Sequence, residues 1–411
     1  MDEEQGSPPT FFDSLKAFSK HSYFNALLIF IPLGIVGHFL VWSDTVVFVL
    51  NFLAIIPLAD LLTFATEEIA KRAGPTVGGL LSATFGNAIE LIISIIALDE
   101  GLIRVVQASI LGSILSNLLL VQGFCFLFGG IKYKQQNFNM TAAQTSSSLL
   151  ALTMLSLVIP AAYSSTTESQ IAAQKGVLIL SHGTAILLLL IYILYLFFQL
   201  RTHKHLFDPE AAKELEEAKK LAAKESGAET ESGSEVEQGQ KDKPLDKDDD
   251  KPTTTISVSI AALIIITGFV TICAEFLVDS IDGLVKNLGI STTFVGLILI
   301  PIVGNAAEHV SSVTFALKNK MDLCIQIALG SSMQIALGVT PVLILIGWII
   351  NQPLTLFFET FETCVLVVSV LIVNYLIQDG ESNWLEGAML LASYGIIGLA
   401  FYFYPETSGN Q

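Results

Sequence analysis

The sequence predicts an all-α integral membrane protein of about eleven transmembrane helices, arranged as one extra N-terminal helix plus two inverted five-helix repeats. Three observations predict it. The 411 residues are 52% hydrophobic and only 14% charged, with a mean hydropathy of +0.64, whereas a soluble globular chain carries about 25% charge. Apolar stretches long enough to cross a hydrocarbon core of about 30 Å as helices recur along the whole length, without the alternation of a barrel strand. Finally, one motif occurs twice, its second copy an odd number of spans after the first.

In order, the spans are residues 23–42, 46–69, 76–98, 104–128, 142–161, 174–200, 256–284, 292–317, 321–348, 354–377 and 383–404. Residues 1–22 form an N-terminal tail and 23–42 the extra helix. The first five-helix repeat covers 46–200, a polar linker 201–255, the second repeat 256–404, and a short tail 405–411. Orientation follows from basic residues, which collect on the cytoplasmic side. With a cytoplasmic N-terminus, Lys16, Lys20, Lys71, Arg72, Lys132, Lys134, Lys318 and Lys320 fall inside, with the linker's own basic residues. Arg104, Lys175 and Lys286 fall outside. The C-terminus then lies on the far side.

Net charge is −17, but 15 of the 38 acids sit in residues 205–251. No basic patch exists to neutralise phosphates, so nucleic acid is excluded as a partner. Cys125, Cys273, Cys324 and Cys364 form neither a disulfide framework nor a CxxC pattern. The acidic start, Met1-Asp2-Glu3-Glu4, predicts no secretory signal.

The linker divides in two. Residues 208–227 have the Ala/Glu/Lys/Leu content of a solvated helix opened by Asp208 and Pro209, and the remainder has a disorder-type composition. Asp208, Glu210, Glu214, Glu216 and Glu217 crowd onto that helix. Like charges at helical spacing repel by about 0.2–0.5 kcal/mol per pair, and a divalent cation would relieve this. A regulatory calcium site and a plain linker both fit.

VGGLLSATFGNAIELIIS, Val77 to Ser94, matches VGLILIPIVGNAAEHVSS, Val295 to Ser312, at a shift of 218. Gly86, Asn87, Glu90 and Ser94 fall on Gly304, Asn305, Glu308 and Ser312. The same shift carries Leu111-Gly112-Ser113 onto Leu329-Gly330-Ser331. The second copy lies five spans after the first, so equivalent helices cross in opposite directions, an architecture that binds substrate near the midplane between repeats.

An ionised residue at a membrane helix centre costs about 2.5–3.5 kcal/mol on insertion scales, so a symmetry-related pair such as Glu90 and Glu308 points to function rather than packing. Asn three residues before Glu and Ser four after put amide, carboxylate and hydroxyl oxygens on one face. Calcium takes 6–8 oxygens, and two glutamates, two asparagines and a few carbonyls freed at a Gly kink supply them and balance its charge. Pro301 favours such a kink in the second copy. Without a cation, burial and mutual repulsion favour protonated carboxyls. One site can therefore hold calcium or protons. Interhelical packing by small polar residues remains the other reading of the serines.

A weaker repeat at a shift of 215 puts Asp60 on Glu275 and Glu67 on Asp282. Asp60, Glu275 and His309 are candidate proton-path groups, while Glu67 and Glu68 read as solvated at a helix end.

GNAIEL, Gly86 to Leu91, and GNAAEH, Gly304 to His309, resemble the two signature repeats of the calcium/cation–proton exchanger family over nearly the whole chain. The resemblance implies a secondary antiporter, not an enzyme, with no cofactor, moving Ca2+ from the cytosol into an acidic vacuole against H+, with the C-terminal tail lumenal. It assigns Glu90 and Glu308 as ion ligands, beside Asn87 and Asn305, and adds Ser113, Ser331 and Gln334. Ser116 stands where the second half has Gln334, so the site need not be two-fold. A sodium/calcium-type exchanger is the nearest alternative, but its GSSAPE-like and GTSVPD-like strings are absent. A cation channel stays open, as do Mn2+ transport and oligomeric state.

Overall fold

The computed structural model describes residues 9–167, 169–207 and 252–404, and over these the chain is helical apart from one short ladder. Asp208, Glu210, Glu214, Glu216, Glu217 and the helix expected over 208–227 lie outside the described residues. The first half comprises α1 (Phe11–Lys20), α2 (Tyr23–Phe39), α3 (Asp44–Ala73), α4 (Pro75–Phe85), α5 (Ala88–Asp99), α6 (Ile103–Tyr133), α7 (Met140–Thr166) and α8 (Gln170–Phe197). The second comprises α9 (Ile256–Asp279), α10 (Ile281–Leu288), α11 (Thr292–Gly304), α12 (Ala306–Leu317), α13 (Met321–Ile349), α14 (Thr360–Leu376) and α15 (Trp384–Tyr402). Among the described residues, seven helices are individually long and apolar enough to cross a membrane, and three bent pairs raise the number to ten. α14, with 17 residues, is slightly shorter.

Two expected single spans are broken: the axis turns by 43° between α4 and α5, and α11 gives way to α12 at Asn305. The 119° turn between α10 and α11 falls between two expected spans. Gly86-Asn87 and Gly304-Asn305 occupy the two equivalent breaks. Gly is a poor helix former and Asn a weak one, and both asparagine amides are engaged across the repeat boundary rather than within their own helices. The first break forms without a proline, so Pro301 is not its common cause.

Small residues set the contacts between halves. A Cβ on Gly112 of α6 would run into the Leu297 carbonyl and Pro301 of α11. One on Gly296 would lie 2.7 Å from Ala108 Cβ. α3 and α9 pack along each other, and at one end α10 adds a bond to α3, Asn287 Nδ2 donating to Thr45 Oγ1 at 3.3 Å. At the other end Glu68 is fully buried, correcting its expected solvation. Its carboxylate accepts from Thr253 N at 2.8 Å, Thr254 N at 2.9 Å and Lys71 Nζ at 2.8 Å, with Arg72 alongside. Burial costs a carboxylate its hydration, and these charged and backbone donors replace it.

Two more cross-links close the ends of the bundle. Gln135–Asn137 (β1), after α6, pairs antiparallel with Glu381–Asn383 (β2), after α14. Near the start of α6, Arg104 meets Glu362 at 2.7 Å, and Gln107 Nε2 donates to the Thr355 and Phe357 carbonyls.

Candidate functional site

Each break restarts a helix, and the restart decides where the glutamates sit. Glu90 and Glu308 both fall in the first turn of their helices, α5 and α12. There the unpaired N–H groups and positive helix end favour a carboxylate, so the broken span lowers the cost of a charge that an unbroken helix would carry alone.

The flanking amides reach across to the opposite repeat. Asn87 Nδ2 donates to Gln334 Oε1 at 2.6 Å, and Asn305 Nδ2 donates to the Ser113 carbonyl at 3.3 Å. The Ser331 hydroxyl donates to Glu308 Oε1, and Asn117 packs beside Glu308. A Cβ on Gly304 would stand 2.7 Å from Glu90 Oε1, so that carboxylate lies against the bare backbone of the second motif. Glu90, Glu308, Asn87, Asn305, Ser113, Ser331 and Gln334 thus gather into a polar network of separate contacts around the two motifs.

Several oxygens in this network are buried without a hydrogen-bond partner among the described residues: Asn87 Oδ1, Glu90 Oε2, Ser113 Oγ, Asn305 Oδ1 and Glu308 Oε2. Buried polar atoms are ordinarily satisfied, and a hard cation or added protons would satisfy these. Among the described residues no three His, Cys, Asp or Glu side chains converge as a metal cluster. What the site offers instead is two carboxylates beside neutral oxygens, a chemistry that a hard divalent cation accepts.

The copies differ in access. Glu90 is only 5% exposed. Glu308, Ser331 and Gln334 line a cavity of about 350 Å3 that also touches Thr63, Glu67 and Gln199. Opposite this opening, the Gly112–Leu297 and Gly296–Ala108 contacts pack α6 against α11.

The other candidates are scattered. Asp60 is 3.6 Å from His21, and Glu275 and Asp282 are exposed. His309 turns away from the cavity, its Nδ1 2.7 Å from the Asn305 carbonyl and its ring edge-on to Phe124. Since a carbonyl only accepts, that nitrogen carries the proton. Sequence reasoning missed Asn117, which falls on Ile335 under the repeat shift and so has no polar counterpart to flag it. It also missed matching π turns, Ser116–Val121 in α6 and Ile335–Val339 in α13, features frequent at functional sites.

A family model described as sodium/calcium exchanger protein matches residues 43–201 and 258–403, well over half of the chain. The chain belongs to this family. Among curated relatives, the vacuolar calcium ion transporter of Schizosaccharomyces pombe is 46% identical over 392 residues, covering 95% of this chain and 87% of the relative. The Ca(2+)/H(+) antiporter of Aphanothece halophytica is 44% identical over 394 residues, covering 94% and 98%. Among solved structures, native YfkE is similar with a TM-score of 0.73 at 34% identity, covering 93% of this chain and all of that one. This chain and native YfkE thus share the helical fold over almost the whole length of both.

Proposed function

We propose that the chain is a secondary antiporter that moves Ca2+ out of the cytosol into an acidic organelle, the vacuole, in exchange for H+. The carrying observation is the pair Glu90 and Glu308, each in the first turn of a half-helix from one of two inverted repeats, one enclosed and the other open to a single cavity. Calcium and protons compete for the two carboxylates, with Asn87, Asn305, Ser113, Ser331 and Gln334 supplying or positioning neutral oxygens. Because the ion satisfies oxygens that protons can also satisfy, emptying the site on one side loads it for return. The likeness to the A. halophytica Ca(2+)/H(+) antiporter supports this ion pair, and the likeness to the S. pombe vacuolar calcium ion transporter supports calcium and the vacuole.

The cavity opens beside Glu67, Gln199 and Phe315, close to the basic residues expected in the cytosol, so the site here faces that side. Eleven spans with a cytoplasmic N-terminus and linker, and a lumenal C-terminus, are supported by the cross-links. β1–β2 and Glu68–Thr254 join segments expected inside, and Arg104–Glu362 joins segments expected outside. The unit boundaries 1–22, 23–42, 46–200, 201–255, 256–404 and 405–411 follow from this topology. Tags at residue 235 and the C-terminus on the same face would break it.

The decisive measurement is calcium uptake into sealed vesicles holding the purified protein. Uptake should require an acid interior and should proceed with no sodium gradient. Uptake independent of the pH gradient would indicate a channel, and uptake driven by sodium would indicate the other coupling. Adding manganese as competitor in the same assay tests whether that ion shares the site.

A further inference from the structure

We infer that α1 is an interfacial helix that binds the anionic surface of the chain's own membrane. Its sequence, FFDSLKAFSK, places Phe11, Leu15 and Phe12 within about 100° of one another around the axis, with Lys16 and Lys20 on the adjoining flank. The three apolar side chains are 60%, 56% and 78% exposed, and both lysines are exposed. Exposed aromatic and aliphatic groups beside lysines are the pattern of a helix lying in the headgroup boundary.

Position supports the same occupant. The face next to Phe11, on the side away from the lysines, is pinned: Ser14 is fully buried and its Oγ accepts from Thr255 N at 2.8 Å, and the Phe18 ring meets Phe64 of α3 edge-on at 4.9 Å. Thr255 is the N-cap of α9, an apolar helix long enough to span. Ser14 therefore holds α1 at the level where a span enters the membrane. The 89° turn into α2 lays α1 across the direction of the following apolar helix. The capping box of Thr10 and Asp13 closes its first turn, so the helix is formed before any lipid contact. Lysines at that level are attracted by anionic headgroups, and the apolar arc enters the acyl boundary.

The inference rests on the membrane reading of the fold and is independent of the transported ion, which calcium uptake in the same vesicles reports separately. Phe12→Cys in a Cys364→Ser background offers a labelling site, because the other three cysteines are buried. The full-length protein, carrying an environment-sensitive fluorophore there, is reconstituted in phosphatidylcholine with or without phosphatidylserine. Spin-labelled lipid should quench the probe and aqueous iodide should not. Quenching by lipid should increase with phosphatidylserine, and Lys16→Gln with Lys20→Gln should remove that increase. A probe open to iodide and indifferent to spin-labelled lipid would overturn the inference, as would lipid quenching equal in both compositions. Leu15→Cys repeats the reading on the same arc should the first variant fold poorly.

Discussion

The first motif, Gly86-Asn87-Ala88-Ile89-Glu90, and the second, Gly304-Asn305-Ala306-Ala307-Glu308, are nearly the same chemistry in unequal surroundings. Glu90 is enclosed against Gly304, and Glu308 borders open space with Ser331 and Gln334. The neighbouring glycines differ in the same sense. A Cβ on Gly112 would strike backbone of the other repeat, whereas one on its counterpart Gly330 would meet nothing within 4 Å. Under the repeat shift, the groups that pack against Gly112, Leu297 and Pro301, correspond to Gly79 and Ala83, and both of these line the cavity. Under the proposed exchange, two inverted repeats with one interface closed and the other open make half of an alternating-access cycle. Exchanging the two packings would carry the site to the opposite face.

The strongest way to break the comparison is at the acids. Glu90→Gln and Glu308→Gln should each abolish proton-driven calcium uptake while the protein still reaches its membrane. A water-soluble carbodiimide added from the cavity side should modify Glu308 and spare Glu90. Near-normal uptake in either variant would remove that residue from the site.

The glycine pair sharpens it. Gly112→Val should disrupt the closed interface and lower thermal stability, since overpacking costs about 1–3 kcal/mol. Gly330→Val should leave stability within about 0.5 kcal/mol yet slow uptake roughly 5- to 150-fold, the factor by which 1–3 kcal/mol against the opposite conformation shifts its population. Equal stability losses in both variants would mean that the two interfaces do not exchange.

A third test concerns what holds α3 to α9. Glu68→Gln keeps the shape but takes the charge from Lys71 and Arg72. A loss of about 3 kcal/mol is expected, read as a lower melting midpoint. An unchanged midpoint would make the buried carboxylate dispensable. The smallest effect belongs to the linker: neutralising Asp208, Glu210, Glu214, Glu216 and Glu217 should shift the calcium dependence of uptake without ending exchange. Superposed curves at equal expression would leave the segment a linker.

Much of the candidate site was legible because both copies carry it: symmetry turned Glu90 and Glu308 from two isolated acids into a candidate pair. Asn117 was not, having no counterpart, and Glu68 was misread because helix-end position says nothing of what packs there. Asp60 and Glu275 pair by repeat register but lie apart from the network, since register aligns helices without deciding which way each side chain faces.

By itself the sequence determined the membrane-spanning class, since a backbone in lipid must satisfy its own hydrogen bonds and so requires long apolar helices. It also determined the inverted repeat and the residue types offered to an ion. The tertiary structure alone decided that both motif helices break at an asparagine, that Glu68 is buried, and that one glutamate is enclosed while the other is open. These depend on contacts such as Asn87–Gln334 and Glu68–Thr254, between residues far apart in the chain. Local periodicity carries no record of such contacts, and two nearly identical motifs carry no record of which one is closed.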